Sequence, residues 1–146
     1  MYKNIFFFVV LLLTKTSSLS EDFNGAKRIN FLNYPDCIEL KNSAGTTAVL
    51  SHHVGGRVLS YRKNNKESLF IADNEREWKP DGSKKPSSAG RFDIGPEYLI
   101  PKREELWSGK WTSTIIGPRS ARLESKESKD AGIRLIREFI LDEKFT

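Results

Sequence analysis

Residues 132–143 read GIRLIREFILDE, and whether this run is a strand or a helix decides the fold class. Ile133, Leu135, Phe139 and Leu141 fall on one face of an extended chain, with Arg137 the exception. A helix is the rival, because Leu, Arg and Glu form helices well. The run has a period of two and no convincing N-cap, so it is predicted to be a strand.

Shorter runs upstream follow the same rhythm. Cys37 to Lys41 and Thr46 to Ser51 are separated by NSAG, a good hairpin connection. Arg57 to Arg62 alternates, with Val58 and Ser60 on one face and Leu59 and Tyr61 tending to opposite sides. Asn64-Asn65 then permits the positive backbone angles of a tight turn, and Glu67 to Ile71 is predicted to return as a strand. Thr112 to Ile116 and Ala121 to Ser125 are further strands, broken by GPRS. Roughly seven short strands with turn signals between them predict an all-β, antiparallel β-sandwich. The chain stops at DEKFT, just after a strong strand, so the sandwich is expected to be part of a larger fold.

The N-terminus reads MYKNIFFFVVLLLTKTSSLSEDF. Lys3, the apolar run Ile5 to Leu13, and Ser18 and Ser20 before Glu21 form the pattern of a secretory signal peptide over residues 1–20. Nine apolar residues fall well short of the ~20 that span a bilayer, so no stable membrane anchor is expected after cleavage. The chain is then secreted or periplasmic. Residues 21–33 read as a lead-in and 34–146 as the partial sandwich. The formal charge of +5 includes two signal lysines, and no basic cluster marks a groove or helix, so nucleic acid is not an expected partner. Cys37 is the only cysteine and sits in a strand-like run, where a small buried apolar residue is the plain reading. No metal-ligand spacing and no cofactor motif is present.

The 38 residues from Ala72 to Gly109 form one long connection that holds four of the six prolines. Proline removes ladder donors, and a loop this long in a compact domain is usually functional or disordered. SKKPSS (83–88) reads as a flexible tip. Trp78, Phe92, Ile94, Tyr98, Leu99, Ile100, Leu106 and Trp107 make the rest too apolar to stay solvated, so the second half should pack over the sandwich. The connection carries 8 acids and 7 basic residues, too close to neutral for a phosphate ligand. Aromatic rings beside fixed polar groups suit a neutral polyhydroxylated ligand, with ring faces on C–H groups and charged groups on hydroxyls. Glu97, held between Pro96 and Tyr98, is a preorganised carboxylate, whereas Trp111 is expected to anchor the loop.

The pattern HHVGGRVLSYRKNNKESLF (52–70), AGRFDIGPE (89–97), LWSGKW (106–111) and GIRLIREFIL (132–141) resembles the galactose mutarotase-like superfamily, in particular its secreted bacterial members similar to aldose 1-epimerases. The resemblance covers residues 34–142 and implies the N-terminal half of a β-supersandwich. It implies a sugar site bordered by Gly90 to Glu97, with Arg91 in contact with sugar; Asp93, Glu97 and Trp107 complete the expected substrate-binding set. Family members that interconvert anomers use a His acid and a Glu base. His52 and His53 match neither position and read as strand-end or packing residues, so the catalytic pair is expected outside this chain. The expected function is a carbohydrate-binding or carbohydrate-active domain resembling an epimerase-type isomerase. A non-catalytic carbohydrate-binding module and an inactive gene fragment are the alternatives.

Overall fold

A computed structural model of the chain describes residues 24–79, 88, 90–92 and 103–145, and the fold is all-β. Five strands form one antiparallel meander: β1 (Ala26–Phe31), β2 (Tyr34–Lys41), β3 (Thr46–Ser51), β4 (Arg57–Lys63) and β5 (Lys66–Glu67). The long connection carries two four-residue helices, α1 (Asp73–Arg76) and α2 (Glu104–Trp107). A second meander follows: β6 (Thr112–Gly117), β7 (Ser120–Glu124) and β8 (Ile136–Ile140). The run that opened the sequence reading is thus a strand at its centre, paired with β7 in unbroken register from Ser120↔Ile140 to Glu124↔Ile136.

Two hydrophobic clusters flank the first sheet. Ile38, Leu40, Ala48 and Leu50 face the second sheet, where Trp111, Ala121, Leu123 and Leu141 meet them. Tyr34, Cys37, Val49 and Leu59 form the other cluster with Val54 and Ile71, and Trp78 packs against it. The first sheet is therefore covered on both sides, by a sheet on one and by the start of the connection on the other. That is why TTAVLS reads as a nearly continuous buried run and not as a clean alternation.

The tight turns follow their residues. Asn64 and Asn65 have φ of 48° and 66°, the double left-handed step of a type I′ hairpin. Cys37 is fully buried, and burial pushes its thiol up to about 12.

Several expectations need correction. Residues 26–31 are a strand and not a lead-in; Arg28 bolts β1 to β6 by donating to Ser113 Oγ (2.7 Å) and Ser113 O (2.6 Å). The strand expected over Glu67 to Ile71 ends at Glu67: Ser68 N still donates to Tyr61 O (2.9 Å), but the Glu67 carboxylate takes the Tyr61 N–H (2.9 Å) that a continuing ladder would give to Ser68 O. Strict alternation in β4 is broken where Val49 pairs with Ser60 but Leu50 with Val58. Leu59 is the extra residue of that bulge, and Val58 and Tyr61 pack on the same cluster. Ile133 lies outside β8 and is exposed, so it does not share the inner face of Leu135, Phe139 and Leu141. Ser88, assigned to a flexible tip, is hydrogen-bonded to Glu75. The signal-peptide assignment falls outside the described residues. No helix among the described residues is long and apolar enough to cross a membrane.

Candidate functional site

The site is built on a glycine elbow between β3 and β4. A Cβ on Gly55 would lie 2.5 Å from Trp107 O, and one on Gly56 would lie 2.4 Å from Trp111 Cε3, so only glycine admits such close approach. The elbow holds Gly90, Gly109 and Trp111 through its backbone. Gly55 N donates to Gly109 O (2.9 Å), Trp111 N to His52 O (2.7 Å) and Val58 N to Gly90 O (3.0 Å). Residues 90 and 107–111 are therefore docked on rigid structure; Ile94, Tyr98, Leu99 and Ile100, expected to pack with them, lie outside the described residues.

Rings and guanidinium groups collect on this dock. Trp111 is buried, its indole N–H donates to Glu105 O (3.0 Å), and it anchors the segment as expected. Arg137 reaches in from β8, 4.6 Å from the centre of the Trp111 ring and 5.1 Å from that of Phe92. It donates to Gly56 O and, at 2.7 Å, to Phe92 O. Phe92 also meets Phe139 edge to face at 5.7 Å and remains 47% exposed. One residue away, the Arg91 guanidinium stacks 4.9 Å from the centre of the Trp107 ring. Such stacks hold the cation and the ring face in fixed relation.

Of the predicted binding residues, Arg91 and Trp107 are brought together. Asp93 and Glu97 lie outside the described residues. Sequence reasoning missed Arg137, which it treated as an exception on an apolar face. The usable signal was that exception itself: a cation at an inward-facing strand position needs partners, and rings with backbone carbonyls supply them.

The histidines are committed elsewhere. His52 Nδ1 lies 2.9 Å from Ser113 Oγ, and His53 Nε2 lies 2.8 Å from Pro35 O; the two rings stack at 4.3 Å. Burial, and then the neighbouring His53, lower His52 to about 4. It is neutral at physiological pH and shares a hydrogen bond with the Ser113 hydroxyl, to whose oxygen Arg28 also donates. This is the packing role foreseen for it. Among the described residues no three His, Cys, Asp or Glu side chains are grouped to hold a metal ion.

A buried polar cluster fastens the first half of the connection. Arg57 on β4 pairs with Glu75 on α1, each side chain 1% exposed. Tyr34 hydroxyl donates to Glu75 Oε1 at 3.4 Å and accepts from Arg57 at 3.3 Å. Glu75 Oε2 accepts from the N–H of Ser88 (2.8 Å) and from its hydroxyl. One carboxylate thus ties together β2, β4, α1 and the residue that precedes the Gly90 dock by two positions.

A cleft of about 650 Å³ lies elsewhere, between Gly25, Lys41, Asn42 and Arg119. Neither Arg91 nor Trp107 lines it, no aromatic side chain is among its described lining residues, and four of its charges are taken up in the Lys27–Glu39 (3.1 Å) and Arg119–Glu143 (2.5 Å) pairs. The docked aromatic segment is the better candidate. A scan against protein-family models and searches of curated proteins and of solved structures found no match to this chain.

Proposed function

We propose that the chain is an exported carbohydrate-binding domain of galactose mutarotase-like type, which takes a neutral polyhydroxylated ligand on the segment around Arg91, Phe92 and Trp107. The observation that carries this reading is the Arg91–Trp107 stack (4.9 Å) beside an exposed Phe92 on a backbone-anchored dock. A sugar presents both C–H faces and hydroxyls, and a ring next to a fixed cation serves both at once. Asp93 and Glu97 would add acceptors to the same segment. Binding is favoured over turnover because the chain's two histidines are engaged in packing contacts, with His52 buried and neutral.

Calorimetry of the chain against monosaccharides and polysaccharides tests the reading. Trp107→Ala and Glu97→Ala are each expected to weaken binding about tenfold or more while the thermal melt stays cooperative. NMR of α/β anomer exchange is expected to show no acceleration by this chain. No binding to any sugar, or binding unchanged in both variants, overturns the proposal.

A further inference from the structure

We infer that the open edge of β8 pairs with the same edge of a second copy of this chain, antiparallel across a twofold axis at Glu138. The two sheets have four edges, and three carry devices that discourage pairing. β1 is bulged between Ile29 and Phe31, and β5 is only two residues long. β6 is bulged between Ile115 and Gly117, and Arg28 occupies the carbonyl of Ser113. Among the described residues β8 has none of these. It is regular, holds neither proline nor lysine, and among the described residues pairs with β7 alone.

The backbone polarity of β8 says which groups are open. Leu141 N donates to Arg119 O (2.9 Å) and Ser125 N donates to Leu135 O (2.9 Å), so the odd-numbered residues point toward β7. The N–H and C=O groups of Ile136, Glu138 and Ile140 therefore point away from it, on the open side. Their side chains are solvent-facing too: Ile136 is 49% exposed and Ile140 77%.

The sequence of that edge selects the occupant. Ile-Arg-Glu-Phe-Ile (136–140) is symmetric about Glu138 in its outward residues. An antiparallel copy centred there sets Ile136 against the partner's Ile140, Ile140 against the partner's Ile136, and Glu138 against the partner's Glu138. This register satisfies all the open groups with about six backbone hydrogen bonds. Shifting the axis by one residue sets each isoleucine against a charged side chain or leaves it unpaired. The facing carboxylates are the cost, since like charges directly opposed destabilise a pair. Arg122 offsets it on each side, holding Glu138 by Nε (2.9 Å) and Nη2 (2.6 Å). The product is a closed dimer with one continuous six-stranded sheet.

Sedimentation equilibrium of the full chain up to about 100 µM tests this, and a monomer–dimer equilibrium is expected. Ile140→Lys should raise the dimer Kd about tenfold or more, whereas Glu138→Gln, which removes the opposed charges, should lower it. As a register test, a short bis-maleimide should link Ile136→Cys chains to Ile140→Cys chains in preference to either variant with itself. The buried Cys37 will not compete. A chain that stays monomeric, a dimer indifferent to Ile140→Lys, open-ended aggregation, or linkage without that preference overturns the inference.

Discussion

Glu75→Gln is the most informative single change to this fold. Arg57 and Glu75 are each 1% exposed, and the Glu75 carboxylate receives Arg57, the Tyr34 hydroxyl and both donors of Ser88. The substitution keeps the shape and removes the charge, so the buried Arg57 loses the carboxylate it pairs with. Losing one partner of a buried pair costs about 3–5 kcal/mol, a large part of the roughly 5–15 kcal/mol that holds a domain of this size. An exposed pair gives the scale for comparison. Glu39→Gln removes the partner of Lys27, whose side chain is 58% exposed, and should cost about 0–1 kcal/mol. Replacing both buried partners, as Arg57→Met with Glu75→Leu, should recover most of the loss, because the desolvation of both charges disappears together. Urea denaturation of the four proteins reads these values as shifts in midpoint at constant m. If Glu75→Gln costs no more than Glu39→Gln, or if the double variant is as unstable as the single one, the account of this cluster is wrong.

Other outcomes follow from single groups. His52 titrates near 4 in the folded chain against an ordinary 6.5, so its charge state makes no difference above about pH 6.5 and stability falls as pH drops from 6.5 toward 4. The loss is about 3 kcal/mol, and denaturation at stepped pH should show it disappear in His52→Gln. Glu67 behaves in the opposite sense: burial raises its carboxyl, but hydrogen bonds from Ser60, Tyr61 and Leu69 outweigh this and hold it at about 2. Its contribution is present above the ordinary value of 4.5 and is lost as pH falls toward 2, so Glu67→Gln should flatten that lower window only. Gly56→Ala drives a methyl into the Trp111 ring and should destabilise by about 1–3 kcal/mol, with a change in tryptophan emission. Cys37 should resist thiol reagents until the chain unfolds; labelling at the native-state rate of an exposed thiol would contradict its burial.

What could be read from the sequence was local. Thr46–Ser51, the Asn64-Asn65 turn and the Ile136–Ile140 strand carry their conformation in their own residues, and each is observed. β1 could not be read this way, because the apolar residues of Ala26–Phe31 do not alternate cleanly with its polar ones, and it is held by β2 and by the reach of Arg28 to Ser113. The end of β5 depends on where one carboxylate points, which no periodicity records. At the site, the aromatic content of the connection pointed to Trp107 and the family resemblance to Arg91, and the two are found stacked; the stretch 93–102 between them lies outside the described residues. Arg137 was hidden because its ring partners, Phe92 and Trp111, are distant in sequence and meet it only through the Gly56 elbow. Nothing local pairs Arg57 with Glu75 either: eighteen residues separate them, and only folding removes both from water.

The sheet covered on both sides has a consequence for how the molecule opens. Tyr34, Cys37, Val49 and Leu59 stay dry only while Ile71, Glu75 and Trp78 lie over them. Lifting that cover wets one whole face of the central strands, so the amides of β2 and β3 cannot exchange with solvent by a local route that leaves the connection in place. Residues 71–78 and the strands beneath them should therefore exchange as one unit, at the rate of global unfolding. A segment that is irregular but for one short helix is then expected to exchange as slowly as the central strands.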